Sequence, residues 1–219
     1  MMTASVKNDN RHYHFENGGF TVRPEYAVIA NWIPDGSSVI DLGCGNGSLL
    51  HYLGQQKNLT ISEGIERAPS GVEYCLGNGL VARAGEIDRR ETYAKYDDNA
   101  FDFAVCNVTL QMVTYPEVLL EQMARIARRL IVSFPNFGHI FNRLDLLATG
   151  RMPRPQLFGY EWFATGHIHQ LGIADFLEFC RRRSLRILQE RHMGRPVALA
   201  RLLPRLFSRT AAYLCAKQS

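Results

Sequence analysis

With 219 residues, 46% of them hydrophobic and 21% charged, the chain is long enough for one domain and short for two, and roughly 70% of its unfolded surface can be buried. A small scaffold that relies on disulfides or a structural metal is therefore excluded. Lys and Arg number 25 against 21 Asp and Glu, a net charge of +4 too slight to imply a nucleic-acid partner, and the surplus is local, with nine arginines between Arg181 and Arg209.

Residues 1–20 read as a loose polar lead-in. Pro24 stands where a first-turn proline is tolerated, and Tyr26, Ile29, Ala30 and Ile33 follow at helical spacing up to Pro34-Asp35-Gly36. Ser38 to Leu42 is a short β-branched strand that runs into Gly43-Cys44-Gly45-Asn46-Gly47, and Ser48-Leu49-Leu50 starts a helix. The pattern repeats. Leu59 to Ile65 is a second strand, Pro69 opens a helix with Val72 and Leu76, Leu80-Val81-Ala82 is a third strand, and Phe101 to Cys106 a fourth. Pro116 opens a helix striped by Leu119, Leu120, Met123 and Ile126, and Leu130 to Phe134 is a fifth strand ended by Pro135. From 136 to about 170 the rhythm breaks in a stretch rich in aromatics, Gly and Pro, read as an inserted segment covering the site. Helix Ile173–Arg183 and strands Leu185–Glu190 and Ala211–Ala216 close the chain. The expected fold is one α/β domain over residues 1–219, Rossmann-like, with a seven-stranded, mostly parallel sheet and helices on both faces.

The glycine turn is the most informative stretch. A dinucleotide fingerprint would need a third glycine at position 48, which is Ser48. Here the spacing is Gly43-x-Gly45-x-Gly47, enclosing Cys44, with Asp41 two residues ahead. An acid ending the strand repels a pyrophosphate but orients an amino-acid ammonium, which points to S-adenosylmethionine (SAM). Glu66 lies 19 residues beyond Gly47, the separation at which an acid reaches ribose hydroxyls, and Arg67 follows it. At the third strand end Glu86 suits an adenine amino group and Ile87 the ring face. Taken singly, each of these residues is also explained as a turn or a solvated acid.

Several further runs are more specific: Thr109-Leu110-Gln111, Ile131 through Ser133-Phe134-Pro135-Asn136-Phe137-Gly138-His139, Gly150-Arg151-Met152-Pro153, Tyr160-Glu161-Trp162, Ile168-His169 and Asp175-Phe176. With Asp41 to Gly47 they resemble the class I SAM-dependent methyltransferases and, within them, the methionine-biosynthesis protein MetW family, over about Arg23 to Met193. The resemblance implies the methyltransferase fold and association with a homoserine O-acyltransferase in methionine biosynthesis. One run departs: where the family tends to read Thr-Pro-Asn-Ile-His, this chain has Thr165-Gly166-His167-Ile168-His169, which loosens the backbone and adds a group titrating near neutrality.

Methyl transfer is an in-line displacement that requires positioning and exclusion of water, with a base optional. His139, His167 and His169 are the candidates for that base. Asn107 is expected near the methyl group, and Thr109, Gln111, Tyr160 and Trp162 in the pocket of a small-molecule acceptor, with S-adenosylhomocysteine as the other product. No metal is expected, since His167-x-His169 lacks a third ligand. The C-terminal arginines end a helix or alternate with apolar residues and come without a stacking platform, so no nucleic acid is expected. Five scattered cysteines without a C-x-x-C pair, and the lack of a signal-like or membrane-length apolar run, lead to an expected cytoplasmic location.

Overall fold

The computed structural model describes residues 19–154 and 159–218; the expected lead-in falls, up to residue 18, outside them. Seven strands, β1 (Ser38–Leu42), β2 (Ile61–Glu66), β3 (Val81–Ala84), β4 (Phe101–Asn107), β5 (Ala127–Pro135), β6 (Leu185–Met193) and β7 (Thr210–Lys217), form one sheet in the order β3-β2-β1-β4-β5-β7-β6. The first five are parallel, while β7 runs antiparallel to both β5 and β6. The expected seven-stranded, mostly parallel sheet is therefore present.

Strand periodicity distributes the core. On β1 and β4, Val39, Phe103 and Val105 face helices α1 (Pro24–Trp32) and α2 (Ser48–Gln56), packing with Tyr26, Ile29, Ile33, Leu49 and Leu53. Ile40, Leu42, Ala104 and Cys106 face the other way, toward α4 (Pro116–Ile126) and α6 (Ile173–Arg182). The third helix, α3 (Pro69–Gly77), supplies buried Cys75 to a smaller cluster with Cys44, Leu50 and Ala82. Phe134, Phe176 and Tyr213 pack ring on ring, with centroids 5.0 to 6.0 Å apart. All five cysteines are free and buried.

Two expectations are corrected. The 136–170 segment is not irregular throughout: it contains a ten-residue helix, α5 (Ile140–Thr149), capped by His139 and stopped by Gly150 at φ +64°. Between β6 and β7 stand two further short helices, α7 (Val197–Leu202) and α8 (Pro204–Phe207), where the sequence pattern predicts no element. Strands β5, β6 and β7 also extend beyond their expected limits, because ladder pairing carries charged residues such as Arg129 and Arg191 that apolar patterning leaves out. Among the described residues no helix is long and apolar enough to cross a membrane.

Candidate functional site

In the strand order, chain connections diverge on either side of the β1–β4 pair, and open α/β sheets form their crevice at the carboxyl ends of such strands. A cleft of about 620 Å³ opens there, within the range of small-ligand sites. Its floor is the turn after β1. Gly43 takes φ +80°, and a Cβ on it would stand 2.5 Å from Thr109 Cγ2, so conformation and space both demand glycine. The amides of Gly43 and Cys44 both donate to Ile65 O, at 2.8 and 3.1 Å, folding the turn over the end of β2. This approach requires Gly64, where a Cβ would meet Cys44 Sγ at 2.5 Å. At the start of α2, Ser48 N and Oγ both donate to Asn46 Oδ1, at 3.2 and 2.7 Å.

Three acids line the cleft from successive strand ends. Asp41 is 2% exposed; burial, and then the charge of Glu66, push its carboxyl up to about 7. Glu66 is gripped from both sides, Oε2 accepting from Gly45 N at 2.9 Å and Oε1 from Ala68 N at 2.8 Å. A carboxylate offers about four acceptor positions, so this grip fixes its plane and leaves capacity on each oxygen. Glu86 pairs with Arg89 at 3.1 Å on the rim, and Ile87 is buried, its carbonyl accepting from Tyr93 Oη at 2.5 Å. Arg67 lines the same end. The Cys44 thiol, held up by its hydrogen bond with Cys75 and by burial, is a wall group and not a nucleophile.

The opposite end is built on the turn after β4. Asn107 Oδ1 accepts from Ser133 Oγ at 2.6 Å. Val108 adopts φ +54°, unusual for a β-branched residue, and its amide donates to both Ser133 O and Ser133 Oγ, at 3.0 and 3.1 Å. Gln111 is buried; its Nε2 donates to Val108 O at 2.8 Å, while its Oε1 has no partner among the described residues. The carbonyl of Gln111 accepts from the amides of Ile168 and His169, at 2.8 and 3.0 Å. These bonds hang the departing Thr165–His169 run on the cleft wall and bring buried His167 into the lining, with Tyr160. Burial lowers the His167 pKa, so its ring is neutral at pH 7.

Not every expected site residue reaches the cleft. Asp41, Gly43, Cys44, Gly45, Glu66, Arg67, Glu86, Ile87, Asn107, Thr109, Gln111, Tyr160 and His167 line it; Gly47, His139, His169 and Trp162 do not. His139 is spent as the cap of α5, its Nδ1 accepting from Phe141 N at 3.2 Å. His169 stands outside, with Nε2 3.4 Å from Thr114 O. Trp162 is 69% exposed beside a separate surface depression. Conversely, Thr21, Arg23, Glu25 and Tyr26 join the lining, a role the sequence reading did not assign. The visible signal was a Glu and an Arg flanking Pro24 in an otherwise apolar first helix turn.

A family model described as methionine biosynthesis protein MetW matches residues 23–215. A relative from Rhodopirellula baltica, the bifunctional methionine biosynthesis protein MetXA/MetW, is 34% identical over 161 residues, covering 71% of this chain and 26% of the relative. This chain thus spans about a quarter of that relative's length. A solved S-adenosylmethionine dependent methyltransferase from Mesorhizobium loti superposes with a TM-score of 0.63 at 13% identity, covering 90% of this chain and 99% of the other. The [4+2]-cyclase SpnF superposes with a TM-score of 0.64 at 13% identity, covering 95% and 87%. At these identities the structural likeness carries the fold alone.

Proposed function

This chain belongs to the MetW family of methionine biosynthesis proteins, and from that premise we propose that it is a SAM-dependent methyltransferase acting on a small-molecule acceptor. One observation carries the reading: the Gly43–Gly45 turn, buried Asp41, doubly gripped Glu66, and Glu86 with Ile87 open onto one cleft of about 620 Å³. These residues fit SAM by their chemistry. Asp41 suits its ammonium, Glu66 its ribose hydroxyls, Glu86 its adenine amino group, and Ile87 the ring. Arg67 and Asn107 border the same ligand. The bound cofactor would supply an electrophilic methyl on a sulfonium and leave as S-adenosylhomocysteine. Thr109, Gln111 and Tyr160 orient the acceptor, and the run suspended from Gln111 excludes water. A ring nitrogen of His167, neutral at pH 7, takes the acceptor's proton. His139, His169 and Trp162 have no part in this scheme. The chain acts as one domain over residues 1–219, with 136–170 on the acceptor side, and its free buried thiols suit a cytoplasmic setting.

Calorimetric titration with SAM tests the cofactor claim. Asp41→Ala and Glu66→Ala are each expected to weaken binding by about 10–100-fold, as removal of a hydrogen bond to a charged group does; unchanged affinity in both variants overturns it. Formation of S-adenosylhomocysteine across a panel of acceptors tests turnover.

The fused relative favours a second reading, in which the same cleft senses SAM and the protein serves as accessory to a homoserine O-acyltransferase. Co-elution with that enzyme and a change in its activity separate this reading from the first.

A further inference from the structure

Helix α5 projects from the acceptor end of the sheet. Asn142 is its one buried side chain, donating to Phe137 O at 2.9 Å. Phe141, Leu144, Leu147 and Ala148 share a face at i, i+3, i+6 and i+7, yet the three large ones are 55, 52 and 84% exposed. A ten-residue helix is marginal in water on its own hydrogen bonds and is normally stabilised by burying such a stripe. Here the stripe is displayed.

We propose that the Phe141–Leu144–Leu147 stripe docks onto an acyltransferase of the MetXA type, against an apolar surface rimmed by carboxylates. The proposal rests on the accessory reading above. The Rhodopirellula baltica relative, by its name a bifunctional MetXA/MetW protein, carries a similar module on one chain with MetXA, and a shared chain makes association of its parts intramolecular. The family match over 23–215 includes α5. Charge disfavours a second copy as the occupant. Arg143 lies beside the stripe on the helix, and Arg151 follows just past its end. Neither has a carboxylate partner within ion-pair distance among the described residues, whereas neighbouring Arg154 pairs with Glu161 at 2.7 Å. Asp145 is the lone carboxylate on the helix. A two-fold contact of the stripe with itself would set these cations against one another, whereas a partner with an acidic rim would neutralise them.

The test mixes the full-length protein with the purified homoserine acyltransferase of the same organism and measures Kd and elution volume. Leu144→Arg/Leu147→Arg is expected to weaken binding at least about 30-fold, the effect of losing a hot spot. SAM affinity and Tm should hold, and so should binding by Leu76→Arg, a change at an exposed leucine on α3. If the double variant does not fold, Leu147→Glu alone, at the most exposed position, provides the same readout. Undiminished binding by a folded variant overturns the surface and leaves the accessory reading standing. No binding by the wild type overturns both. A self-dimer lost in the variant while acyltransferase binding persists makes a second copy the occupant and overturns the proposal.

Discussion

The two ends of the cleft are built by different means. At the β1–β3 end the named polar groups of the turn are matched between adjacent strand ends: Gly43 and Cys44 bond the end of β2, Ser48 bonds Asn46, and Glu66 is held by Gly45 and Ala68. At the β4–β5 end the geometry is less settled, with Val108 at φ +54°, a buried Gln111 Oε1 without a partner among the described residues, and a run of chain suspended from one carbonyl. Bonding closed in this way suits a ligand that is always the same. An end with strain and an unmatched acceptor suits a ligand that differs between relatives, because it can be retuned without disturbing the first.

The contrast can be broken or sharpened by measurement. The largest expected effect concerns Asp41. Its folded pKa of about 7 lies above the ordinary carboxylate value, so folding takes up a proton between about pH 4 and pH 7. The unfolding free energy of the wild type should therefore fall across that window relative to Asp41→Asn, by on the order of 4 kcal/mol, and level off above about pH 7. Denaturant titrations at stepped pH check this, and a difference that stays flat from pH 4 to 8 contradicts it. Next is Gly43→Ala, expected to destabilise by about 2–4 kcal/mol through backbone strain at φ +80° and overpacking on Thr109. Thr109→Ser removes the methyl that the new Cβ would strike, so the double variant should recover part of the loss and measure the coupling between the two ends. The smallest effect is expected at Val108. Glycine there relieves the left-handed backbone at the cost of chain entropy, so Val108→Gly should be neutral or stabilising by about 1 kcal/mol in thermal unfolding, whereas glycine in β1 would be strongly destabilising. A clear loss of stability at Val108 would mean that the β4–β5 end is as settled as its counterpart.

The same division governs what was legible in the sequence. β1, the glycine turn and the start of α2 were readable to the residue because their causes are local: a β-branched run, glycines at fixed spacing, then a helix start. Glu66 was readable because strand and helix lengths fix its distance from Gly47. The role of Arg23, Glu25 and Tyr26 was not, since it depends on α1 packing over the face of β1 that carries Asp41, a contact between elements and not within one. Which of His139, His167 and His169 lines the cleft depends on where the chain folds back: one caps a helix, one sits outside, and one is drawn in by the bonds to Gln111. Helix α5 did carry a signal, four apolar residues near helical spacing and Gly150 as a stop, but Gly, Pro and aromatic content on either side outweighed it.

The position of β7 has a consequence for how the protein is made. Strand β6 reaches the sheet only through β7, which slots between it and β5. On the ribosome the first five strands can assemble in order as they emerge, each beside one already present. β6 then appears with no edge to join and must wait until Thr210 to Lys217 has been synthesised. Release of a chain that stops before Thr210 would thus forfeit two strands, baring β5 and the aromatic cluster around Phe134.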